Sequence, residues 1–375
     1  MIRSSTELGL SKRWVIKIGS SLVTNNGRGL NTKQIQNWAD QINELIQSGK
    51  EVVIVSSGAI AEGMNRLGWE TRPEALHELQ AAAAVGQMGL IQAYEVALAK
   101  HNLHSAQVLL THDDMMDRRR YLNAKTTLRK LLELKTIPVV NENDTISTEE
   151  IELGDNDTLA SLVANLVEAD LMIILTDVEG LYSGNPKDKP NAKLIEEINV
   201  NDPALEEYAG HSKGEFGRGG MKTKILAAKR AARSGACAWI ANGEEKDILQ
   251  KITMGKKYGT RILAETEPLN ARKQWIANHL KAKGTVVIDS GASKVISKSG
   301  KSLLAVGVSR VKGDFERGDV VKCVDSSGTE IALGLINYNA SETKKIIGKS
   351  SDEIFQVLGF VGEPELIHRD NLVLL

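Results

Sequence analysis

The segment WVIKIGSS (Trp14–Ser21) decides how the rest of the chain reads. Trp14, Val15, Ile16 and Ile18 make an apolar run broken only by Lys17, and Gly19-Ser20-Ser21 follow at once. Runs of the same texture recur at Val52–Val55, Ala106–Leu110, Ile137–Val140, Leu171–Leu175 and Ala236–Ile240. Such β-branched, nearly continuous runs suit strands buried on both faces of a parallel sheet. Helical patterns lie between them. Thr32–Ser48 sets Ile35, Trp38, Ile42, Leu45 and Ile46 on one face, with Gly49 as its stop. Pro73–Lys100 holds an Ala-rich helix in which Gly86 and Gly89 permit close packing or a bend, and Arg118–Leu134, Asp157–Val167 and Met221–Ser234 complete the set. Strands alternating with helices specify a three-layer αβα sandwich with right-handed crossovers and a mainly parallel sheet.

Beyond about Lys283 the texture changes. Gly284–Val287, Leu303–Val308, Asp319–Val324 and Glu330–Ile336 are short strand-like runs separated by Gly, Ser and Asp turns. They predict a small, mostly-β, barrel-like domain of roughly 80–90 residues. The expected division is a catalytic domain over 10–265, a charged, Trp-containing linker over 266–282, and the β domain over 283–365.

Composition narrows the function. A chain of 375 residues with 42% hydrophobic and 25% charged residues can bury a sizeable core, which excludes wholesale disorder. Lys and Arg total 47 against 48 Asp and Glu, a net charge of -1, so a nucleic-acid-coating protein is not expected. No apolar run approaches the ~18 residues of a membrane span, and no apolar signal core precedes Arg13. Only Cys237 and Cys323 are present, far apart and outside any CxxC pattern. Both are expected to be buried free thiols, and the compartment a reducing cytoplasm.

In an open parallel α/β sheet, ligands bind beyond the carboxyl ends of the strands. Four strand ends here are small or polar: Gly19-Ser20-Ser21, Ser56-Ser57-Gly58, Asn141-Glu142-Asn143-Asp144 and Thr176-Asp177. Each alone could be an ordinary turn; together they point to one crevice. The segment Gly217–Lys224 (GRGGMKTK) then feeds a helix, and its lysines sit at the positive pole of that helix, where a bound phosphate would compensate them. Walker and Rossmann glycine motifs are absent, as are the motifs of zinc proteases, serine hydrolases and protein kinases. With no His or Cys nucleophile in view, direct phosphoryl transfer is indicated. Asp155 or Asn156 could serve only as a helix N-cap. Alternatively, the acidic groups around 141–157 could hold a substrate ammonium, orient lysines, or meet a phosphate-bound Mg²⁺.

These segments together resemble the amino acid kinase family. The resemblance rests on VIKIGSS (Val15–Ser21), VSSGAIAEG (Val55–Gly63), AAVGQ (Ala83–Gln87), NENDTI (Asn141–Ile146), GDND (Gly154–Asp157), LTDVEGLY (Leu175–Tyr182) and GRGGMKTK (Gly217–Lys224). GTVVIDSGA (Gly284–Ala292) and FERGDVV (Phe315–Val321) resemble a PUA domain. The resemblance covers nearly the whole chain, in order. It implies ATP-dependent phosphorylation of the γ-carboxylate of L-glutamate, with Mg²⁺, as the first step towards proline. Acetylglutamate, carbamate and aspartate kinases are the alternatives within the family.

By the resemblance, Lys17 and Lys224 neutralise the transferring phosphoryl group and Asp157 organises them. Thr176, Asp177 and the segment Arg218, Gly219, Gly220, Met221, Lys222, Thr223 and Lys224 would bind ATP, together with Lys17. Ser57, Asp144 and Asn156 would bind glutamate, Asp144 pairing with its α-ammonium. Arg218 and Lys222 depart from the family, which more often has small hydroxyl residues there; both add positive charge. A homodimer or homotetramer and feedback inhibition by proline are further implications. PUA domains elsewhere contact RNA, but the balanced charge after Lys283, without interleaved aromatics, favours a structural or regulatory role.

Overall fold

β1 (Arg13–Ile18) lies inside an eight-stranded sheet, flanked by β2 (Glu51–Ser56) and β5 (Leu171–Thr176), both parallel to it. The computed structural model describes residues 5–24, 29–147, 156–184, 189, 191–210, 220–255, 258–264 and 282–374. The sheet also contains β3 (Ser105–Leu110), β4 (Ile137–Glu142), β6 (Glu197–Asn199), β7 (Cys237–Asn242) and β8 (Thr260–Leu263), in the order β3-β4-β2-β1-β5-β7-β8-β6. Strands β3 through β7 of that row are parallel. Only the β7–β8 pairing is antiparallel, and β6 is parallel to β8.

The continuous apolar runs are explained by this placement. β4 and β5 are buried at every residue, and Trp14, Val15, Ile16 and Ile18 are fully buried. β3 departs from the expectation of burial on both faces. It is an edge strand, with a neighbour on one side only, and of its six residues only Leu110 is buried. Helices cover the sheet in two groups. Thr32–Gln47, Ala59–Leu67 and Leu76–Ala99 pack together, as do Asn156–Val167 and Met221–Arg233. The nine-residue helix Ala59–Leu67 is hidden in the sequence by the polar strand end before it. It packs so closely on Leu76–Ala99 that a Cβ at Gly86 would lie 1.9 Å from the Ala59 carbonyl oxygen.

The chain divides into two compact units, Met1–Met116 with Ala124–Pro268, and Asp117–Asn123 with Leu269–Leu375. The second contains a separate sheet of β9 (Gly284–Ile288), β10 (Val308–Gly313), β11 (Val320–Val324), β12 (Glu330–Leu335) and β13 (Leu372–Leu374), in the order β10-β9-β11-β12-β13. β9 and β11 are parallel and the other pairs antiparallel. Leu303–Val308 is not a strand: Ala305–Gly307 form a 3-10 turn and the strand begins at Val308. Burial of Leu303, Ala305 and Gly307 with exposure of Leu304 and Val306 mimics strand alternation, and the turn satisfies it equally. Two helices absent from the sequence reading have legible caps. Asp289 accepts from Ala292 N at 2.7 Å ahead of Ser290–Ser299, and Asn339 forms a capping box with Glu342 ahead of Ala340–Ile346. Cys237 and Cys323 are buried free thiols, and burial pushes Cys323 up to about 12.

Candidate active site

The carboxyl ends of β1, β2, β4 and β5 all belong to the first unit, and the residues following them converge. Lys17 is the fifth residue of β1 and is 5% exposed. Gly58, just past β2, adopts φ 111 and caps the helix Ala59–Leu67. Its missing side chain matters, because a Cβ would sit 2.8 Å from Thr24 Cγ2 in a backbone conformation L-residues rarely adopt. Asn156 and Asp157 open the helix that follows β4, and Lys224 lies in the first turn of Met221–Arg233.

Asp157 is fully buried and joins three elements. Its Oδ1 lies 2.7 Å from Lys17 Nζ, and its Oδ2 lies 3.1 Å from Lys224 Nζ and accepts from Thr223 Oγ1 at 2.9 Å. Burial alone would raise the Asp157 pKa, but the charges of Lys17 and Lys224 hold it at about 2, so it is ionised at neutral pH. Burial lowers the pKa of Lys224, while Asp157 acts to raise it. Two ammonium groups and one carboxylate leave a single positive charge. A preorganised positive centre at the strand ends is what a transferring phosphoryl group requires.

Beside it stands a neutral network. Asn156 Nδ2 lies 2.6 Å from Ser57 Oγ, 3.0 Å from Asn141 Oδ1 and 3.3 Å from the Ser56 carbonyl oxygen, and shares its two hydrogens among these acceptors. Asn141 Nδ2 donates to Gln87 Oε1 at 2.8 Å. Asn156 Oδ1, Gln87 Nε2 and Asp144 Oδ1 are buried and have no hydrogen-bond partner among the described residues. Burial, reinforced by the charge of Glu142 and opposed by Arg72, raises the Asp144 carboxyl to about 7. A buried carboxyl oxygen or amide oxygen without a hydrogen-bond partner can receive a cationic donor such as an ammonium group.

The structure thus separates the sequence candidates into groups. Lys17, Lys224 and Asp157 form one cluster, and Ser57 and Asn156 share the amide network. Asp144, two residues past β4, has no ion pair with a lysine among the described residues. Thr176 ends β5 with its hydroxyl donating to Asp177 Oδ1 at 3.1 Å; Thr176 is buried and Asp177 exposed. Gly220 caps the helix that Met221 opens. Lys222 is exposed while Lys224 is buried, so the two lysines, equivalent in sequence, are not equivalent in place. Arg218, Gly219, Asp155 and the linker segment 266–281 lie outside the described residues. Gln87 and Asn141 contribute contacts that the residue-by-residue reading did not assign, and Thr223, expected at the nucleotide, also donates to Asp157. The signal for Asn141 was its place at the end of β4, whereas Gln87 stood only as the last residue of the quoted segment Ala83–Gln87, with no contact legible until the helix is packed.

Comparison with known proteins accords with this geometry. The model of the amino acid kinase family matches residues 12–242, and that of the PUA domain residues 284–358. The chain is 60% identical over 365 residues to a protein of Nitrosospira multiformis named glutamate 5-kinase, covering 97% of this chain and 98% of that one. A protein of the same name from Thioalkalivibrio sulfidiphilus is 58% identical over 375 residues, all of both chains. One from Methylobacillus flagellatus is 58% identical over 365 residues, 97% of this chain and 98% of that one.

Proposed function

Because the chain belongs to the amino acid kinase family and carries a PUA domain behind its kinase domain, we propose that it transfers the γ-phosphoryl group of ATP to the γ-carboxylate of L-glutamate. The products would be γ-glutamyl phosphate and ADP, the first step towards proline. The observation that carries the reading is the buried Lys17–Asp157–Lys224 cluster, with an unsatisfied amide network beside it.

A γ-carboxylate with an ordinary pKa of ~4.3 is ionised at neutral pH and needs no general base. A carboxylate oxygen forms a bond to the γ-phosphorus while the bond to the ADP oxygen breaks in line. The barrier is repulsion between two anions, and Lys17 and Lys224 would relieve it, with Asp157 holding both ammonium groups in place. Thr176, Asp177 and the segment 218–224 would bind the nucleotide. Ser57, Asn156 and Asp144 would bind the amino acid, the ionised Asp144 pairing with its α-ammonium. Proline has the same amino-acid head and would compete there as a feedback inhibitor. We also take the working form to be a homo-oligomer.

The donor set does not suit a protein-caged metal. Among the described residues no group of three or more His, Cys, Asp or Glu side chains could hold one, and both Asp157 oxygens face lysines. Mg²⁺ would therefore arrive bound to the phosphates of ATP.

Trapping of acyl phosphate with hydroxylamine tests the reading. Purified protein, ATP and Mg²⁺ should give product with L-glutamate and none with N-acetyl-L-glutamate, L-aspartate or carbamate. Product only with one of the others would overturn the substrate assignment.

A further inference from the structure

Gln87 lies on the helix Leu76–Ala99, opposite the end of β4, and is 8% exposed. Its contact with Asn141 looks like ordinary packing until the polarity of the network is followed. The Ser56 carbonyl at the end of β2 can only accept, so Asn156 must present Nδ2 to it. The same Nδ2 faces Asn141 Oδ1, which turns Asn141 Nδ2 outward to Gln87 Oε1. From the Ser56 carbonyl outward, the polarity of Asn156 and then Asn141 is set step by step, and Gln87, whose own Nε2 has no partner among the described residues, closes the row by accepting from Asn141 Nδ2. Were Asn141 to flip, its Nδ2 would meet Asn156 Nδ2, and without Gln87 Oε1 the Asn141 Nδ2 would lose the acceptor that holds it turned away from Asn156. The row leaves Asn156 Oδ1 buried and unpartnered among the described residues.

We propose that Gln87 is a positioning residue for the amino-acid substrate: through Asn141 it locks the Asn156 amide with its Oδ1 facing a substrate N–H donor. The inference rests on the reading that Asn156 binds the amino acid. Gln87 itself need not touch the substrate. Its effect is on glutamate binding, with ATP binding left alone, because the lysine cluster shares none of these hydrogen bonds.

A double-mutant cycle tests this. Gln87→Met and Asn156→Ala, alone and combined, are compared in glutamate Kd by calorimetry, in glutamate and ATP KM, and in kcat. Gln87→Leu stands in if Gln87→Met fails to fold, as judged by ATP KM. Gln87→Met should weaken glutamate binding about tenfold, the range expected when a buried hydrogen-bonded row loses its end, with ATP KM within about twofold. In the double variant, Gln87→Met should add less than about twofold to the loss caused by Asn156→Ala. Full additivity, or equal loss of ATP and glutamate binding, would mean Gln87 only supports the fold, and the proposal fails. If Asn156→Ala leaves glutamate binding unchanged, the amino-acid site itself is misassigned and both readings fall. If Asn156→Ala weakens it and Gln87→Met does not, only the role of Gln87 falls.

Discussion

Neighbouring residues of one helical turn, Asn156 and Asp157, enter two clusters that obey different rules. At Asp157 each carboxylate oxygen meets an ammonium group, and Lys17, Lys224 and Asp157 are all buried. At Asn156 the contacts are neutral amides and hydroxyls, and buried polar atoms are left unmet among the described residues. The difference follows from what each state of the site must tolerate. An isolated buried ion is penalised by several kcal/mol, so the cationic centre carries its own counter-ion whether or not substrate is bound. A neutral amide short of one partner is penalised by only ~1–3 kcal/mol, which a ligand can offset when it arrives. The charged cluster therefore carries its own counter-ion, whereas the amide cluster leaves polar atoms that a ligand could meet.

Three experiments press on that contrast. The largest effect belongs to Lys224→Ala, which removes half the positive charge and should lower kcat by roughly 10³-fold or more while the fold persists. Its sequence neighbour Lys222, exposed to solvent, should tolerate Ala with a change in ATP KM below about fivefold. Trapped acyl phosphate measures both, and similar losses at the two positions would erase the distinction drawn between them.

Next is Asp157→Asn, which removes the carboxylate that both buried ammonium groups share. Urea unfolding should show a loss of about 3–5 kcal/mol near neutral pH. Asp157 titrates at about 2 in the folded state, below the ~3.9 of an unfolded Asp. Its contribution is therefore present above about pH 4 and lost as the pH falls towards 2, and the variant should lack that acid-side loss. A variant as stable as the parent at pH 7 would show the lysines to be compensated elsewhere.

The gentlest effect concerns Asp144, held up at about 7 by burial and by Glu142. A raised pKa reverses the sign: the stability this group contributes is complete below its unfolded value of ~3.9 and is lost as the pH rises through about 7. Glutamate, as an ammonium donor, selects the ionised form. Its affinity should fall up to tenfold per pH unit below 7 and level off above, and Asp144→Asn should bind weakly with that pH dependence removed. Calorimetry between pH 5.5 and 8.5 measures this, and a flat profile in the parent protein would break the assignment of Asp144 to the ammonium.

Much of this architecture was legible beforehand because it depends on local pattern. All six expected strands of the first unit that continuous apolar runs announced are present, and the helices between them lie within a few residues of their predicted ends. The elements that escaped are short or ambiguous. β6 and β8 have three and four residues, too few for a periodic signal. The 3-10 turn at Ala305–Gly307 buries its residues in an order that a strand would also produce. Within the site, Lys17, Ser57, Asn156, Asp157 and Lys224 stood out because each falls at a strand end or a helix start. Gln87 fell within the quoted segment Ala83–Gln87 but was given no role, since nothing within Leu76–Ala99 tells which helical positions will face β4.

By itself the sequence determined the sheet-forming runs, the helical faces and the strand ends where chemistry could gather, because those depend on hydrophobic period and on turn residues close in the chain. Tertiary structure alone decided which candidates meet. Lys17 and Asp157 are 140 positions apart, and Lys224 a further 67, yet one carboxylate holds both ammonium groups. Such pairings come from the order in which strands are laid side by side. So do the burial that leaves Asp144 at about 7 and the choice of Lys224 over Lys222, since each depends on how much water the packed elements exclude.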